Sequence, residues 1–289
     1  MSTLEQVVLS GNDIEVVVVP DVGARLHGLR VHGADLLRTP THLSEHLSDP
    51  FFWGGYVLAP WCNRVDAAPT EVLGQVVDLA SNFEDGSAIH GQVYASAWAQ
   101  TGDSSFAIDH EGAGWPWPYR VEIEYLIEAS RLTIAQRLRN DSSTQMPGGI
   151  GLHPWLLGEP RIAIHAASAY ESNADSAPFP GPVAGKLDMR VAGSLEVGVD
   201  ATWVDLDDPA LELNWPELGL RATLRSRNAT LHIVAANPGD RGAIAVEPQT
   251  HAPQGLRRLM RRQPGALAII EPGEILELTT ELAFEAMSS

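Results

Sequence analysis

Val121-Glu122-Ile123-Glu124-Tyr125-Leu126-Ile127-Glu128 is a stretch in which apolar and mostly acidic residues alternate. This period of two is typical of a β-strand with one buried face and one solvated face. After Ala129-Ser130, residues 131–139 alternate again, with leucines and an isoleucine set against arginines and a threonine. The short connection predicts an antiparallel hairpin with one wet face.

Runs of the same strand character recur along the rest of the chain, separated by turns rich in Gly, Pro, Asn and Asp. They lie at residues 6–9, 14–19, 25–31, 72–79, 94–100, 161–165, 211–215, 221–226, 230–235, 243–247 and 275–284. Many short strands of this kind describe an antiparallel sandwich or barrel, so we predict an all-β fold.

The domain organisation is predicted to be a single domain over residues 1–289. The Pro-rich segment 177–182 is the best candidate for a linker, but strand character continues unchanged on both sides of it. The hydrophobic content of 44% is that of a globular chain with a sizeable core. The N-terminus lacks the basic flank and apolar stretch of a signal peptide, and the single cysteine, Cys62, excludes an internal disulfide. We therefore expect a cytoplasmic protein.

The formal net charge of -18 narrows the possible partners. It argues against binding to nucleic acid and to anionic membrane surfaces, because both would repel the protein. Of the 19 basic residues only Lys186 is a lysine, and arginine is the better planar donor to hydroxyls and carboxylates. This bias mildly favours recognition of a polar small molecule.

The segment Gly148-Gly149-Ile150-Gly151-Leu152-His153-Pro154-Trp155 combines a permissive backbone with a titratable ring. Pro154 disfavours the helical region for His153, so we expect the imidazole to project from an extended or turning backbone. Imidazole titrates near neutrality, which suits proton transfer. By itself, such a histidine is more often a hydrogen-bonded loop residue.

Three further islands place polar groups among apolar or turn-forming residues: Asn63-Arg64 within segment 54–64, His90-Gly91, and Glu247 within segment 244–250. Taken together with His153 and in this order, they resemble the aldose 1-epimerase (mutarotase) family. That family shows Asn-Arg, His-Gly, Gly-x-His-Pro-aromatic and a C-terminal Glu-x-Gln. Trp117-Pro118-Tyr119 before the hairpin and the turn at 271–274 also fit, so the resemblance spans most of the chain.

The resemblance implies a large antiparallel β-sandwich of the galactose-mutarotase type that uses no cofactor and no metal. It implies that Glu247 takes the proton of the anomeric hydroxyl while His153 protonates the ring oxygen, and that His90 supports the anomeric end of the sugar. Asn63 and Arg64 match sugar-binding residues. Asp200 matches an aspartate that binds sugar hydroxyls, on less local pattern. The substrate would be a monosaccharide or sugar phosphate, and the protein a monomer or homodimer in carbohydrate metabolism.

These residue types suit the chemistry of mutarotation. One proton must leave an oxygen and another must reach a second oxygen, and each assisted transfer is typically worth ~10²–10⁴-fold. Asn63 and Arg64 can orient vicinal hydroxyls, and Trp155 can offer an apolar face to the C–H side of a pyranose. Two departures from the family pattern, Leu156 after Trp155 and Pro248 after Glu247, suggest that the pocket and its sugar differ.

Three alternatives remain open at this point. A hexose-6-phosphate 1-epimerase would keep the Glu and His and add cations, for which Arg241, Arg257 and Arg258 are candidates. A non-catalytic sugar-binding or sensor protein would keep the binding residues and lose the acid–base pair. The segment His42-Leu43-Ser44-Glu45-His46 fits the H-x-x-E-H pattern of inverted zinc proteases, although this chain shows no helix for a third ligand.

Overall fold

The computed structural model describes residues 4–172 and 177–287, and most of its regular structure is antiparallel β-strand. The strands β1 to β23 are Val7–Ser10, Ile14–Val19, Arg25–Val31, Ala34–Asp35, Gly55–Leu58, Arg64–Val65, Thr70–Val72, Gln75–Val77, Ala88–Ile89, Ala99–Gln100, Ser105–His110, Tyr119–Glu128, Arg131–Asn140, Met146–Gly148, Gly151–Leu157, Arg161–Tyr170, Gly181–Pro182, Asp200–Trp215, Leu220–Arg227, His232–Ala236, Ala243–Gln249, Ala268–Ile270 and Ile275–Ala286. Helices α1 and α2 are Glu45–Ser48 and Gly255–Arg261, and 3₁₀ turns lie at Gly185–Leu187 and Pro216–Leu218. Neither α-helix of the described residues is long or apolar enough to cross a membrane.

The predicted hairpin is confirmed as β12 and β13, which pair along their whole length. Val121 and Ile123 are completely buried, whereas Glu122 and Glu124 on the other face are partly exposed. Burying one such aliphatic side chain is worth ~1.5–3 kcal/mol, so the alternation fixes which face turns inward. The all-β prediction is confirmed as well.

Most of the strands form one hydrogen-bonded sheet that folds over on itself as a sandwich. One layer runs through β11, β12, β13, β23 and β19, and the other through β1, β2, β3, β5, β15, β21 and β20. The long strand β18 belongs to both layers, because its first residues pair with β20 and its last residues pair with β19.

The apolar core lies between the two layers. Leucines of β3, β15, β18 and β19 meet Ile134 of β13, Val246 of β21 and Leu282 of β23 there. One polar side chain crosses this core, since Gln136 of β13 donates a hydrogen bond of 2.8 Å to the carbonyl oxygen of Gly151 in β15. The hairpin layer thereby supports the strand that carries His153.

The Pro-rich segment contributes a strand to the sheet. Its residues Gly181 and Pro182 pair with Ala169 and Ser168 of β16, and the same sheet takes in β18 to β21 and β23 afterwards. The part of this region at 173–176 lies outside the described residues. One domain over 1–289 stays a prediction.

Candidate active site

Four neighbouring strands align a row of polar side chains across one layer. Leu26 of β3 pairs with Gly55 of β5, which sets Arg25 beside Tyr56, and Tyr56 pairs directly with His153 of β15. The register between β15 and β21 pairs Gly151 with Gln249 and Trp155 with Ala245, which puts His153 opposite Glu247. Residues opposite each other on adjacent strands share a face, so the sheet brings together side chains far apart in sequence.

His153 and Glu247 form a direct contact at the centre of this row. The His153 Nε2 atom lies 3.1 Å from the Glu247 Oε1 atom, and the two residues are 6% and 4% exposed. The His153 imidazole stacks on the Tyr56 ring, with centroids 4.6 Å apart and planes 17° apart. Glycine is required beside this pair, because a Cβ on Gly151 would approach within 2.8 Å of the Gln249 Cβ.

Burial sets the proton affinities of the pair. Loss of solvation lowers the pKa of His153 to about 3, and the charge of Arg25 acts in the same direction. Loss of solvation also raises the pKa of Glu247 well above its ordinary value, helped by the charge of Asp200 and opposed by Arg64. Both shifts favour uncharged groups, so the pair holds a single proton near neutral pH.

His90 and Asn63 approach the pair from two connections above the sheet. The backbone N–H of Asn63 donates to His90 Nδ1 (3.3 Å), and the N–H of His90 donates to the Asn63 carbonyl oxygen (3.0 Å). The first bond leaves the proton of the neutral His90 ring on Nε2. Burial lowers the pKa of His90 well below its usual value. The next residue must be glycine, since Gly91 has φ +76° and a Cβ there would overlap the Ala59 carbonyl group.

The His90 ring stands edge-on to the His153 ring, with centroids 5.1 Å apart. His90 and Asn63 are both buried. The structure therefore places a neutral hydrogen-bond donor beside the His153–Glu247 contact.

The positive charge of Arg64 is partly neutralised by an ion pair with Asp85. Its Nε donates to Asp85 Oδ2 at 2.6 Å, and its guanidinium lies over the Phe83 ring at 5.2 Å from the centroid. Burial acts against ionisation of Asp85, but hydrogen bonds from Ser87 and Arg64 outweigh it and lower the Asp85 pKa to about 2. This ion pair holds the guanidinium in place beside Asn63.

Asp200 and Trp155 belong to a second row, two residues along the strands. Trp155 pairs with Ala245, Ala245 with Ala236, and Ala236 with Asp200. The Trp155 indole N–H donates to the Phe51 carbonyl oxygen at 2.8 Å, which fixes the indole ring. The two side chains thus lie at opposite ends of a row floored by alanines, which leaves space above the sheet.

All seven predicted site residues line one cleft of about 420 Å³. The structure also places there Tyr56, Phe83, Asp49 and Arg241, which the sequence did not predict as part of the catalytic site. Tyr56 and Phe83 carry no motif of their own. The strand pairing of Tyr56 with His153 is the signal that identifies it, and that pairing cannot be read from spacing in the sequence.

The two departures from the family pattern do not form the cleft wall, contrary to expectation. Leu156 and Pro248 both face the apolar core between the layers, where they pack with Leu152 and Val246. The reason is the period of two along β15 and β21, which turns the neighbours of Trp155 and Glu247 to the opposite face.

The three arginines that the sequence offered as phosphate-binding residues lie at two different sites. Arg241 lines the cleft, stacked over Phe52 at 4.5 Å and within 3.9 Å of Asp49. Arg257 lies on α2 and bonds to Asp66, and Arg258 is buried under carbonyl oxygens beside Tyr170. The two cations on α2 therefore lie outside the cleft.

The segment His42–His46 consists of a turn that leads into the short helix α1, Glu45–Ser48. Glu45 accepts a hydrogen bond from the backbone N–H of His42 (2.9 Å), and His46 Nε2 lies 2.8 Å from His27 Nδ1. Within residues 4–172 and 177–287, no three His, Cys, Asp or Glu side chains are grouped as metal ligands. The Glu45 and His46 side chains of this pattern thus make a local capping contact and a core contact.

Comparison with known proteins agrees with this geometry. A family model for aldose 1-epimerase matches residues 5–283. The uncharacterized protein YphB of Escherichia coli K12 is 29% identical over 119 residues, covering 40% of this chain and 41% of that protein. The match thus spans about two fifths of the length of that curated relative.

Solved structures share the fold over nearly the whole chain. A galactose mutarotase-like protein from Clostridium acetobutylicum has a TM-score of 0.83 at 18% identity, with 97% of this chain and 95% of that chain covered. The galactose 1-epimerase of Lactobacillus acidophilus NCFM has a TM-score of 0.78 at 16% identity, with 97% and 94% covered. The predicted sandwich of the galactose-mutarotase type is confirmed. Because the family model matches almost the entire sequence, the chain belongs to the aldose 1-epimerase family.

Proposed function

We propose that this protein is an aldose 1-epimerase that interconverts the anomers of an unphosphorylated aldose, with Glu247 as the base and His153 as the acid. Membership of the family supports an aldose 1-epimerase-type function. The observation that carries the residue assignment is the buried contact of 3.1 Å between His153 Nε2 and Glu247 Oε1 within the cleft.

In the proposed reaction, the Glu247 carboxylate takes the proton of the anomeric hydroxyl, and the C1 carbonyl forms. The C1–O5 bond breaks, its electron pair goes to O5, and O5 takes a proton from the His153 imidazolium. After rotation about C1–C2, O5 attacks the other face of C1, His153 regains its proton from O5, and Glu247 returns its proton to O1. Both residues end in their starting states.

The pKa directions support these roles. Burial makes the Glu247 carboxylate a stronger base and the His153 imidazolium a stronger acid, so each group transfers its proton more readily. Their direct contact gives the shared proton a path between Oε1 and Nε2. Ring opening needs a Glu247 carboxylate and a His153 imidazolium. This form is reached from the uncharged pair when one proton moves from Oε1 to Nε2.

The remaining predicted residues supply binding. His90 is proposed to donate from Nε2 to the anomeric oxygen region, and Asn63, Arg64 and Asp200 to hold ring hydroxyls. Trp155, held by its bond to Phe51, is proposed to cover a C–H face of the sugar.

The charge of the cleft supports an uncharged substrate. Asp49, Glu84 and Asp200 line it together with the uncharged His153–Glu247 pair, against two guanidiniums. Arg64 is bonded to Asp85, and Arg241 lies within 4 Å of Asp49 and Asp240. A phosphate dianion would therefore meet carboxylates around each available cation, which disfavours the sugar-phosphate alternative.

The test is polarimetry and NMR on freshly dissolved α-anomers of several aldoses and of their 6-phosphates. We expect accelerated anomer exchange for at least one free aldose and a kcat/KM at least tenfold lower for its 6-phosphate. Faster exchange of the phosphate would overturn the substrate class. A protein that binds aldoses but accelerates no exchange would instead be a sugar-binding protein on this fold.

A further inference from the structure

We propose that Arg25 is a positioning residue for His153, acting through the Tyr56 ring to hold the imidazole against Glu247 and placing a positive charge behind that ring. This inference rests on the proposed function for its effect on turnover, but its effect on His153 can be measured without substrate.

The first step is the burial of Arg25. Its side chain is 0% exposed, and it donates to the carbonyl oxygens of Trp53 (2.8 Å), Pro50 (2.7 Å) and Tyr94 (3.2 Å). A buried cation bound to neutral carbonyls keeps a net positive charge inside the protein, and burial lowers its pKa to about 10. Arg25 therefore remains charged at neutral pH.

The second step is the order of the strands. Because β5 lies between β3 and β15, Arg25 and His153 contact Tyr56 from opposite sides. The Arg25 guanidinium carbon lies 4.8 Å from the Tyr56 ring centroid, and the His153 ring stacks on Tyr56 at 4.6 Å. The Tyr56 hydroxyl donates to the Phe51 carbonyl oxygen at 3.2 Å, which limits rotation of the phenol ring. The imidazole is thus held between a fixed aromatic plane and Glu247.

The third step is electrostatic. A positive charge on the far side of one aromatic ring, in an interior of low dielectric constant, raises the energy of the imidazolium. The groups that face His153 or Arg25 from the neighbouring elements are Glu247, His90, Tyr56, Tyr94, Tyr125, His27, His46 and Asp49. Asp49, whose charge acts on Arg25, and Glu247, which contacts His153, both stay in place in the variants below.

A matched control lies elsewhere in the molecule. Arg258 is likewise buried, donates to the carbonyl oxygens of Pro253, Pro178 and Ala177, and stacks over Tyr170 at 4.2 Å. Tyr170 is far along the sheet from His153 and lines a different cavity. Arg258→Gln therefore removes a similar buried charge and leaves the row of Arg25, Tyr56, His153 and Glu247 unchanged.

The experiment follows the His153 ring signals by NMR in the full-length protein labelled at histidine, with Arg25→Gln, Arg25→Lys and Arg258→Gln compared with wild type. We expect Arg25→Gln to raise the His153 titration midpoint by about one pH unit. Arg25→Lys should keep the wild-type midpoint, and Arg258→Gln should leave it unchanged. In turnover assays, Arg25→Gln should lower kcat more than it changes KM. The acid limb of its kcat–pH profile should move to higher pH by the same amount as the His153 midpoint.

An unchanged His153 midpoint in folded Arg25→Gln would overturn the proposal, and so would an equal rise in Arg258→Gln. If Arg25→Gln does not fold, Arg25→Met provides the second variant, because it also removes the charge, with Arg258→Met as its control. A raised midpoint in Arg25→Met alone would support the proposal, and equal midpoints would contradict it. Failure of the wild type to exchange anomers would refute the proposed function but leave the titration result standing.

Discussion

Two histidine contacts lie near the charge of Arg25, and they differ in what they can do. His153 Nε2 lies 3.1 Å from Glu247, and His46 Nε2 lies 2.8 Å from His27 Nδ1. Burial lowers the pKa of both His153 and His46 to about 3, with the charge of Arg25 adding to the effect. A low imidazole pKa is therefore not in itself a sign of catalysis.

The difference lies in the partner and in access. His153 meets a carboxylate whose pKa is raised, and both line the cleft, so a proton can pass from one group to a ligand and return through the other. His46 meets a second imidazole and is 0% exposed, so this contact stabilises the turn at α1. A buried histidine becomes a candidate acid when it has a complementary partner and an opening.

The largest expected effect comes from breaking the pair that faces the cleft. Glu247→Gln and His153→Asn should each lower kcat by ~10²–10⁴-fold, because each removes one assisted proton transfer. His46→Asn is the matched control and should change kcat by less than about threefold. The measurement is polarimetry at saturating aldose. Equal losses in His46→Asn and His153→Asn would show that the comparison is wrong.

A second expectation concerns stability in acid. The folded-state pKa is lowered to about 3 for His46, His153 and His232 and to about 4 for His251. The unfolded chain takes up these protons near pH 6.5, so stability is lost as the pH falls below that value. Each group should cost about 2 kcal/mol between pH 7 and pH 5 by linkage.

This expectation is checked by urea unfolding at several pH values, with His46→Gln as the test variant. The variant should lose stability less steeply between pH 7 and pH 5, by about one proton taken up on unfolding. A free energy of unfolding that does not change over this range would contradict the assigned pKa directions.

A smaller effect is expected at His90. Its Nδ1 accepts from the Asn63 N–H, so its proposed contribution is a single donor from Nε2. His90→Asn should lower kcat/KM by roughly 10- to 100-fold, the usual loss for one hydrogen bond to a developing charge. His110→Asn, which alters a histidine stacked on Tyr119 away from the cleft, should be neutral. A neutral His90→Asn would remove His90 from the mechanism.

The smallest effect on kinetics is expected from Arg241, at the rim of the cleft. Arg241 is partly exposed and already near two carboxylates, so Arg241→Gln should raise KM for a free aldose by less than about fivefold. A loss of more than tenfold, seen with an aldose 6-phosphate as the better substrate, would assign Arg241 to phosphate binding. Steady-state kinetics on both sugars distinguishes these outcomes.

The sequence predicted the hairpin layer well and the site layer less well. The strands β12 and β13, which have a period of two, were predicted within two residues at each end, and the Val-rich strand β2 was predicted with its observed bounds. The strand β15 was not predicted as such, because its flanking glycines and Pro154 are typical of a turn, although an extended backbone at His153 was expected. The central strands β5 and β15 are held by their neighbours on both sides, which overrides local preference.

For the site, the order of the Asn-Arg, His-Gly, His-Pro-aromatic and Glu-x-Gln segments identified six residues that the structure brings to one cleft, and the weaker match at Asp200 added a seventh. Their roles stay predictions. Arg25 and Tyr56 could not be found in this way, because their importance comes from the register of β3, β5 and β15. Likewise, Leu156 and Pro248 were assigned to the pocket because residues adjacent in sequence were treated as adjacent in space, whereas a strand sends them to opposite faces.

The most direct test of the account is a double-mutant comparison of anomer exchange by NMR, using the aldose on which the wild type is fastest. If Glu247 and His153 act as one proton-transfer pair, the double variant Glu247→Gln/His153→Asn should be no slower than the worse single variant within about threefold. Losses that multiply, so that the double variant is slower by the product of the two single effects, would show that the two residues act independently and would contradict the account.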